Sequence, residues 1–329
     1  MPLTSVYKYL PYMKIYDDVE NVWSPYLMLK QKNLIKNEVL NTDKFGFRYT
    51  ESFEKFTILD DIKNNKDEEQ IAVIGNSTAF GIGASSDKKT IPSYLTNFSN
   101  KRVYNLALRT CNSFQELILF LQVLNKFNNL KTVVIVSGFN DVLIDKYVEN
   151  KPLLNPPLFY QNRINEMNKN LTNSFFKNLF HKISFKNLNK KKSTFEIDKE
   201  FDWKENFSKN LKVWSSISKE FNFKIIFAVQ PYYKWSKNLF TTEETAIFNE
   251  IEEKKIRTYQ VLKNFNQEEY LKTDRNFKKV CEKNNIFYID LNKILKSHDT
   301  SNNWLFVDAL HLTDLGYKIV SEEINFLIK

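Results

Sequence analysis

The sequence predicts an α/β fold with a central parallel sheet, and two observations carry that prediction. Five short apolar runs, "IAVIG" (71–75), "RVYNLA" (102–107), "TVVIVSG" (132–138), "KIIFAVQ" (224–230) and "IFYIDL" (286–291), are rich in Ile, Val and Phe and do not alternate with polar residues. Such runs mark strands covered on both faces by helices. Helical patterns lie between them, and strand–helix alternation of this kind builds a parallel sheet.

The elements follow in order. Residues 1–66 form an aromatic-rich N-terminal extension, expected to pack on the core. It contains "NTDKFGFRYTE", where Gly46 suits a tight turn. The remainder, 67–329, reads as one domain. After the second strand, "SFQELILFLQVLNKF" (113–127) reads as a helix. Residues 145–200 read as an insertion that opens with the proline-rich "NKPLLNPPLFY". The helix predicted over 203–221 places Phe207, Leu211, Trp214, Ile217 and Phe221 on one stripe. A long charged helical stretch spans roughly 242–284. The last helix runs over about 314–328, with Thr313 as N-cap.

Within the insertion, "NSFFKNLFHKISFKNLNKKK" (173–192) carries six lysines and no acid. Phe175, Phe176, Leu179, Phe180 and Ile183 fall on one helical face. Three readings are open: a lid over a pocket, a helix making peripheral contact with an anionic membrane, and a solvated helix with a core stripe.

Composition narrows the function classes. With 329 residues, 42% hydrophobic and 15% aromatic, the chain can bury a substantial core. The net charge of +9 favours anionic partners, but no zinc-finger spacing or glycine-aromatic RNA-binding signature accompanies it, so no nucleic-acid partner is expected. Cys111 and Cys281 form no disulfide framework and fit a reducing compartment. The start lacks the pattern of a signal peptide, and no run approaches the roughly 18–20 apolar residues of a membrane span. A cytoplasmic protein is expected. There is no Cys/His cluster and no glycine-rich phosphate loop followed by Lys, so neither metal nor cofactor is expected. The oligomeric state is not legible.

The residues that carry chemistry follow predicted strands or precede a helix, on one side of one sheet. In open α/β sheets, ligands bind beyond the carboxyl ends of the strands. There "IAVIGNSTAF" presents Ser77, "NLALRTCNS" presents the loop at Thr110, and "VVIVSGFND" presents Asn140. "FVDALHLTDLGY" (306–317) holds His311, one of only three histidines, three residues after Asp308. Each alone has a plain structural reading: a turn serine, a turn-forming Asn105, a buried Cys111 filler, or Asn140 and Asp141 capping a helix. Together the types match the parts of acyl transfer: nucleophile, oxyanion donors, base and base-orienter. His298 reads as exposed in a polar loop, and His181 as lying on a surface helix of the insertion.

On these residues the chain resembles the SGNH hydrolases, also called GDSL-type esterases. The first block appears as "GNST" with Ser77, the third as "GFND" with Asn140, and the last as "DALH" with Asp308 and His311; "GIGA…TIPSYL" also follows the family's habit. The order agrees from about residue 70 to residue 328. The resemblance implies a three-layer flavodoxin-like fold and a serine esterase acting through an acyl-enzyme on a small acylated substrate. Ser77, His311 and Asp308 would be catalytic; Asn140 and the N–H groups of Ser77 and Thr110 would form the oxyanion hole. Similar proteins with an aromatic N-terminal extension and a "GFR" turn often act on glycans, so the resemblance alone implies an O-acetylated carbohydrate. An acyltransferase using the same site and a non-catalytic glycan-binding protein are the alternatives. Two departures stand out: Asn76 replaces the family's Asp, and Ala107 and Thr110 stand where the family has glycine. Thr110 brings a side chain and a restricted φ to the oxyanion loop.

Overall fold

A computed structural model describes residues 3–61, 68–147, 158, 202–254, 262 and 265–329. Five parallel strands form its centre: β1 (Gln70–Gly75), β2 (Arg102–Asn105), β3 (Leu130–Ser137), β4 (Lys224–Val229) and β5 (Phe287–Asp290). Their spatial order is β2-β1-β3-β4-β5, with every neighbouring pair parallel. That is the flavodoxin-like doubly wound order, whose switch point lies between β1 and β3. β1 is buried at every position and β3 at all but Lys131, as the absence of polar alternation predicts, whereas β5, at the sheet's edge, leaves Phe287 54% exposed and is not covered on both faces.

Helices form two layers. Ile91–Ser99 packs with Asp314–Ile328, which also meets Leu291–Ser297. Ser113–Val123, Phe139–Tyr147 and Gln267–Lys283 gather around Trp203–Glu220. In that last helix Phe207, Leu211 and Trp214 are fully buried and Ile217 is partly so. Phe221, placed on the same stripe by periodicity, is 56% exposed. The helix ends at Glu220, and Phe221 is the C-cap, so the 3.6-residue period no longer aims its side chain.

The stretch 242–284 is not one helix. It holds Thr242–Glu253 and Gln267–Lys283. Asn266 starts the second by accepting the Glu269 N–H on its side chain, an N-cap that outcompetes helix continuation. The last helix begins where predicted, with Thr313 Oγ1 accepting the Gly316 N–H. His298 is not simply exposed: it caps Leu291–Ser297, and its Nδ1 lies 3.1 Å from the Ile294 carbonyl. Of the insertion at 145–200, only 145–147 and 158 are described, so the segment 173–192 and His181 lie outside the described residues.

The N-terminal segment braces the sheet's carboxyl edge. Gly46 turns at φ +99°, and a Cβ there would lie 3.0 Å from the Gln31 carbonyl. The turn delivers Phe47 and Arg48, both fully buried. Arg48 Nε pairs with Asp87 at 2.8 Å, while its Nη groups donate to the Tyr16 hydroxyl and to the carbonyls of Gly81 and Val39. Gly81 ends the short helix that begins at Ser77. At the chain's start, Thr4 and Ser5 N–H donate to the Glu250 carboxylate.

Candidate active site

Ser77 stands at the end of β1, in the first turn of the helix Ser77–Phe80. Gly75 makes the turn possible. It sits at φ +148°, and a Cβ there would lie 2.1 Å from the Val136 carbonyl, so only glycine lets β1 leave the sheet this close to β3. Asn76 caps the helix, accepting the Thr78 N–H at 3.1 Å. The Ser77 N–H, at the first helical position, has no partner among the described residues.

Asp308 and His311 lie in a loop closed by the isolated bridge Phe306–Leu312 and by the Val307 N–H to His311 carbonyl bond. The three-residue spacing has a local cause. Asp308 Oδ1 accepts the N–H groups of Leu310 and His311 at 2.8 and 2.9 Å, an Asx-type turn that folds the chain back on the carboxylate. The second oxygen, Oδ2, then meets His311 Nδ1 at 2.7 Å. The other ring nitrogen, Nε2, lies 2.8 Å from Ser77 Oγ. Burial would raise the Asp308 carboxyl, but the His311 charge, its hydrogen bond and the two N–H groups outweigh burial and hold it below its ordinary value. The carboxylate therefore stays ionised and acceptor-only, which fixes the proton on Nδ1 and leaves Nε2 free to accept.

The loop is held from behind by a buried ion pair. Lys237 and Glu244 meet at 2.8 Å with both side chains fully buried. Glu244 Oε1 accepts the N–H groups of Leu305 and Phe306, and Lys237 Nζ donates to the carbonyls of Thr300 and Asn303.

Asn140 lies in the first turn of the helix Phe139–Tyr147. Its Nδ2 donates to the Cys111 carbonyl at 2.6 Å. One amide hydrogen is thereby spent on the Thr110–Cys111 loop, and the amide's orientation is set; the second has no partner among the described residues. Asp141 anchors the same loop, accepting Ser113 Oγ at 2.6 Å and Ser113 N–H at 3.1 Å. Asn140 and Asp141 thus tie down the neighbouring loop rather than merely capping their own helix. Thr110 sits at φ +63°, the left-handed region that glycine would occupy at no cost. For a β-branched residue that conformation costs about 1–2 kcal/mol.

The structure therefore brings Ser77, His311 and Asp308 into one hydrogen-bonded line, with Asn140 and Thr110 joined through the 110–113 loop. The sequence reading passed over Gln230. It closes a predicted strand, yet its buried side chain touches both neighbours of Ser77. A polar residue ending an apolar run at a sheet's carboxyl edge is the signal that could have found it.

Fold and site together define a three-layer α/β protein with a Ser–His–Asp line at the carboxyl edge of its sheet, the fold class and motif order of the SGNH resemblance. No protein-family model matches the sequence, and no curated protein matches it. Solved structures with similar folds include those of lipolytic proteins of the GDSL family and acetyl xylan esterases. An acetyl xylan esterase shares 11% identity, with a TM-score of 0.42 over 79% of this chain and 100% of the other. A putative lipolytic protein of the G-D-S-L family from Desulfitobacterium hafniense shares 15%, with a TM-score of 0.41 over 78% and 98%. An acetylxylan esterase from Geobacillus stearothermophilus shares 14%, with a TM-score of 0.41 over 80% and 93%.

Proposed function

We propose that this chain is a serine esterase of the SGNH type that hydrolyses a small acyl ester through an acyl-enzyme. The observation that carries the reading is the continuous line from Ser77 Oγ through the His311 ring to Asp308, at 2.8 and 2.7 Å. His311 Nε2 takes the Ser77 proton as Oγ attacks the ester carbonyl. The Asp308 carboxylate stabilises the imidazolium. The Ser77 N–H, the second Asn140 amide hydrogen and the Thr110 N–H are assigned to the developing oxyanion. The imidazolium returns its proton to the departing alcohol, leaving the acyl group on Ser77 Oγ. Water, activated by His311, then releases the carboxylate and restores the serine.

For the alcohol we propose an O-acetylated carbohydrate. The "GFR" turn supplies no sugar contact, since Phe47 and Arg48 are buried. The hairpin Asn21–Ser24/Met28–Gln31 is a better candidate. Its tip docks through the Leu27 carbonyl, which accepts Gln115 Nε2 at 2.6 Å in the helix that follows the Thr110 loop. Trp23 and Tyr26 on that hairpin are 38% and 77% exposed, and aromatic faces of this kind suit sugar rings. The test is turnover of p-nitrophenyl acetate, then of acetylated xylo-oligosaccharides. Ser77→Ala and His311→Ala should each abolish turnover while the melting temperature stays near wild type. Undiminished turnover by Ser77→Ala would remove Ser77 from the mechanism.

A further inference from the structure

We propose that Gln230 is a positioning residue that holds Ser77 and His311 in register, and that it matters most after the acyl-enzyme has formed. The inference rests on the esterase reading above. Gln230 follows the last residue of β4, two strands away from β1 in the sheet, and its side chain is fully buried. Its Oε1 accepts from Asn76 Nδ2. Its Nε2 donates to Thr78 Oγ1 at 2.8 Å. One amide therefore clasps the residues immediately before and after the nucleophile. The Thr78 hydroxyl donates onward to the carbonyl of Leu310, the residue before His311, at 3.3 Å.

Backbone groups fix the polarity of this circuit at both ends. The Leu310 carbonyl can only accept, so the Thr78 hydrogen points to it and Thr78 Oγ1 must accept from Gln230. That turns the Gln230 oxygen toward Asn76, which must answer with its NH2. The Asn76 oxygen is then left for the Thr78 N–H, which can only donate. The circuit closes with an amide at 76 and fails with a carboxylate, which has no hydrogen to give. With Asp at 76, Gln230 would turn its NH2 to residue 76 and its oxygen to Thr78. The Thr78 hydroxyl would then leave Leu310. This accounts for Asn76 where the resemblance leads one to expect Asp.

The circuit has a role the triad cannot fill. Once Ser77 Oγ carries an acyl group it has no hydrogen, and its bond to His311 is lost. His311 must still stand over the acyl carbon to activate water. Through Thr78 and Leu310 the circuit ties its loop to the acylated serine's own turn, so loosening it should slow deacylation more than acylation.

The experiment compares pre-steady-state and steady-state release of p-nitrophenol from p-nitrophenyl acetate in wild type, Thr78→Val, Thr78→Ser and Gln230→Glu. Thr78→Val should slow deacylation about ten- to a hundredfold, the scale of a small misplacement of reacting groups, and so reveal a burst of product. Thr78→Ser, which keeps the hydroxyl, should restore the wild-type rate. Gln230→Glu, whose carboxylate accepts from Asn76 and captures the Thr78 hydroxyl, should show the same burst and stands in if Thr78→Val does not fold. Equal loss of acylation and deacylation, or both rates within about twofold of wild type, overturns the inference and leaves the esterase reading intact. A wild-type chain with no turnover and no reaction at Ser77 removes both.

Discussion

Replacing Asp141 by Asn should make the protein progressively more stable, relative to wild type, as pH rises. Asp141 is buried beside a second buried carboxyl, Glu116, which Ser137 Oγ reaches at 2.6 Å and whose other oxygen has no partner among the described residues. Burial raises the Asp141 carboxyl from 3.8 to about 6, against the opposing hydrogen bonds from Ser113. Burial, then the charge of Asp141, also pushes Glu116 well above its ordinary value. The folded state thus holds the Asp141 proton more tightly than the unfolded chain. Stability falls as pH rises from about 4 to about 6 and carries the full penalty above that. At about 1.4 kcal/mol per pH unit, the interval from 3.8 to about 6 corresponds to about 3 kcal/mol. Unfolding 329 residues carries an entropy of roughly 0.7 kcal/mol/K at the midpoint. The melting temperature of Asp141→Asn minus that of wild type should therefore increase by about 4 °C between pH 4 and pH 8. Relief of Glu116 acts in the same direction. Any constant offset from the altered contact with Ser113 cancels in this double difference. Scanning calorimetry across that range measures it directly. A difference that is flat with pH, or that turns in favour of wild type at high pH, would refute the reasoning.

Other perturbations read separate parts of the site. Asp308→Asn should lower kcat by about 10⁴, because an amide no longer enforces the productive tautomer of His311; ester turnover measures it. Asn140→Ala should lower kcat by about 10²–10³ through loss of an oxyanion donor, with KM changing less. Glu244→Ala leaves Lys237 buried without its counter-charge and should cost about 3–5 kcal/mol in denaturant unfolding. It should also reduce turnover, since Glu244 holds the N–H groups of Leu305 and Phe306 ahead of the His311 loop.

The fold was largely legible because each central strand lies in a short run rich in Ile, Val and Phe and ends close to its predicted boundary. β2 stops at Asn105, short of residue 107, where the Asn105 side chain takes the Ala107 N–H and starts a turn. The helical stretch read over 242–284 did not show the Asn266 cap, because charged residues fill both sides of it and periodicity alone does not mark the break. Ser77 and Asn140 could be singled out because short motifs at strand ends place them, and Asp308 and His311 because a short motif precedes the last helix. Gln230 and the Lys237–Glu244 pair are harder to read, since their partners lie far away in the chain, and only a polar residue closing an apolar run marks the first. Thr110 shows a further limit: the sequence shows a side chain that restricts φ, but not that the loop would force it to φ +63°.

The most direct test of the central claim is the mass of the intact protein after exposure to a serine-reactive phosphonate ester, followed by peptide mapping. The line from Ser77 through His311 to Asp308 predicts one phosphonyl adduct, on Ser77, absent in Ser77→Ala and formed far more slowly in His311→Ala. No adduct on the wild-type chain, or an adduct on another residue with Ser77 unmodified, would contradict it.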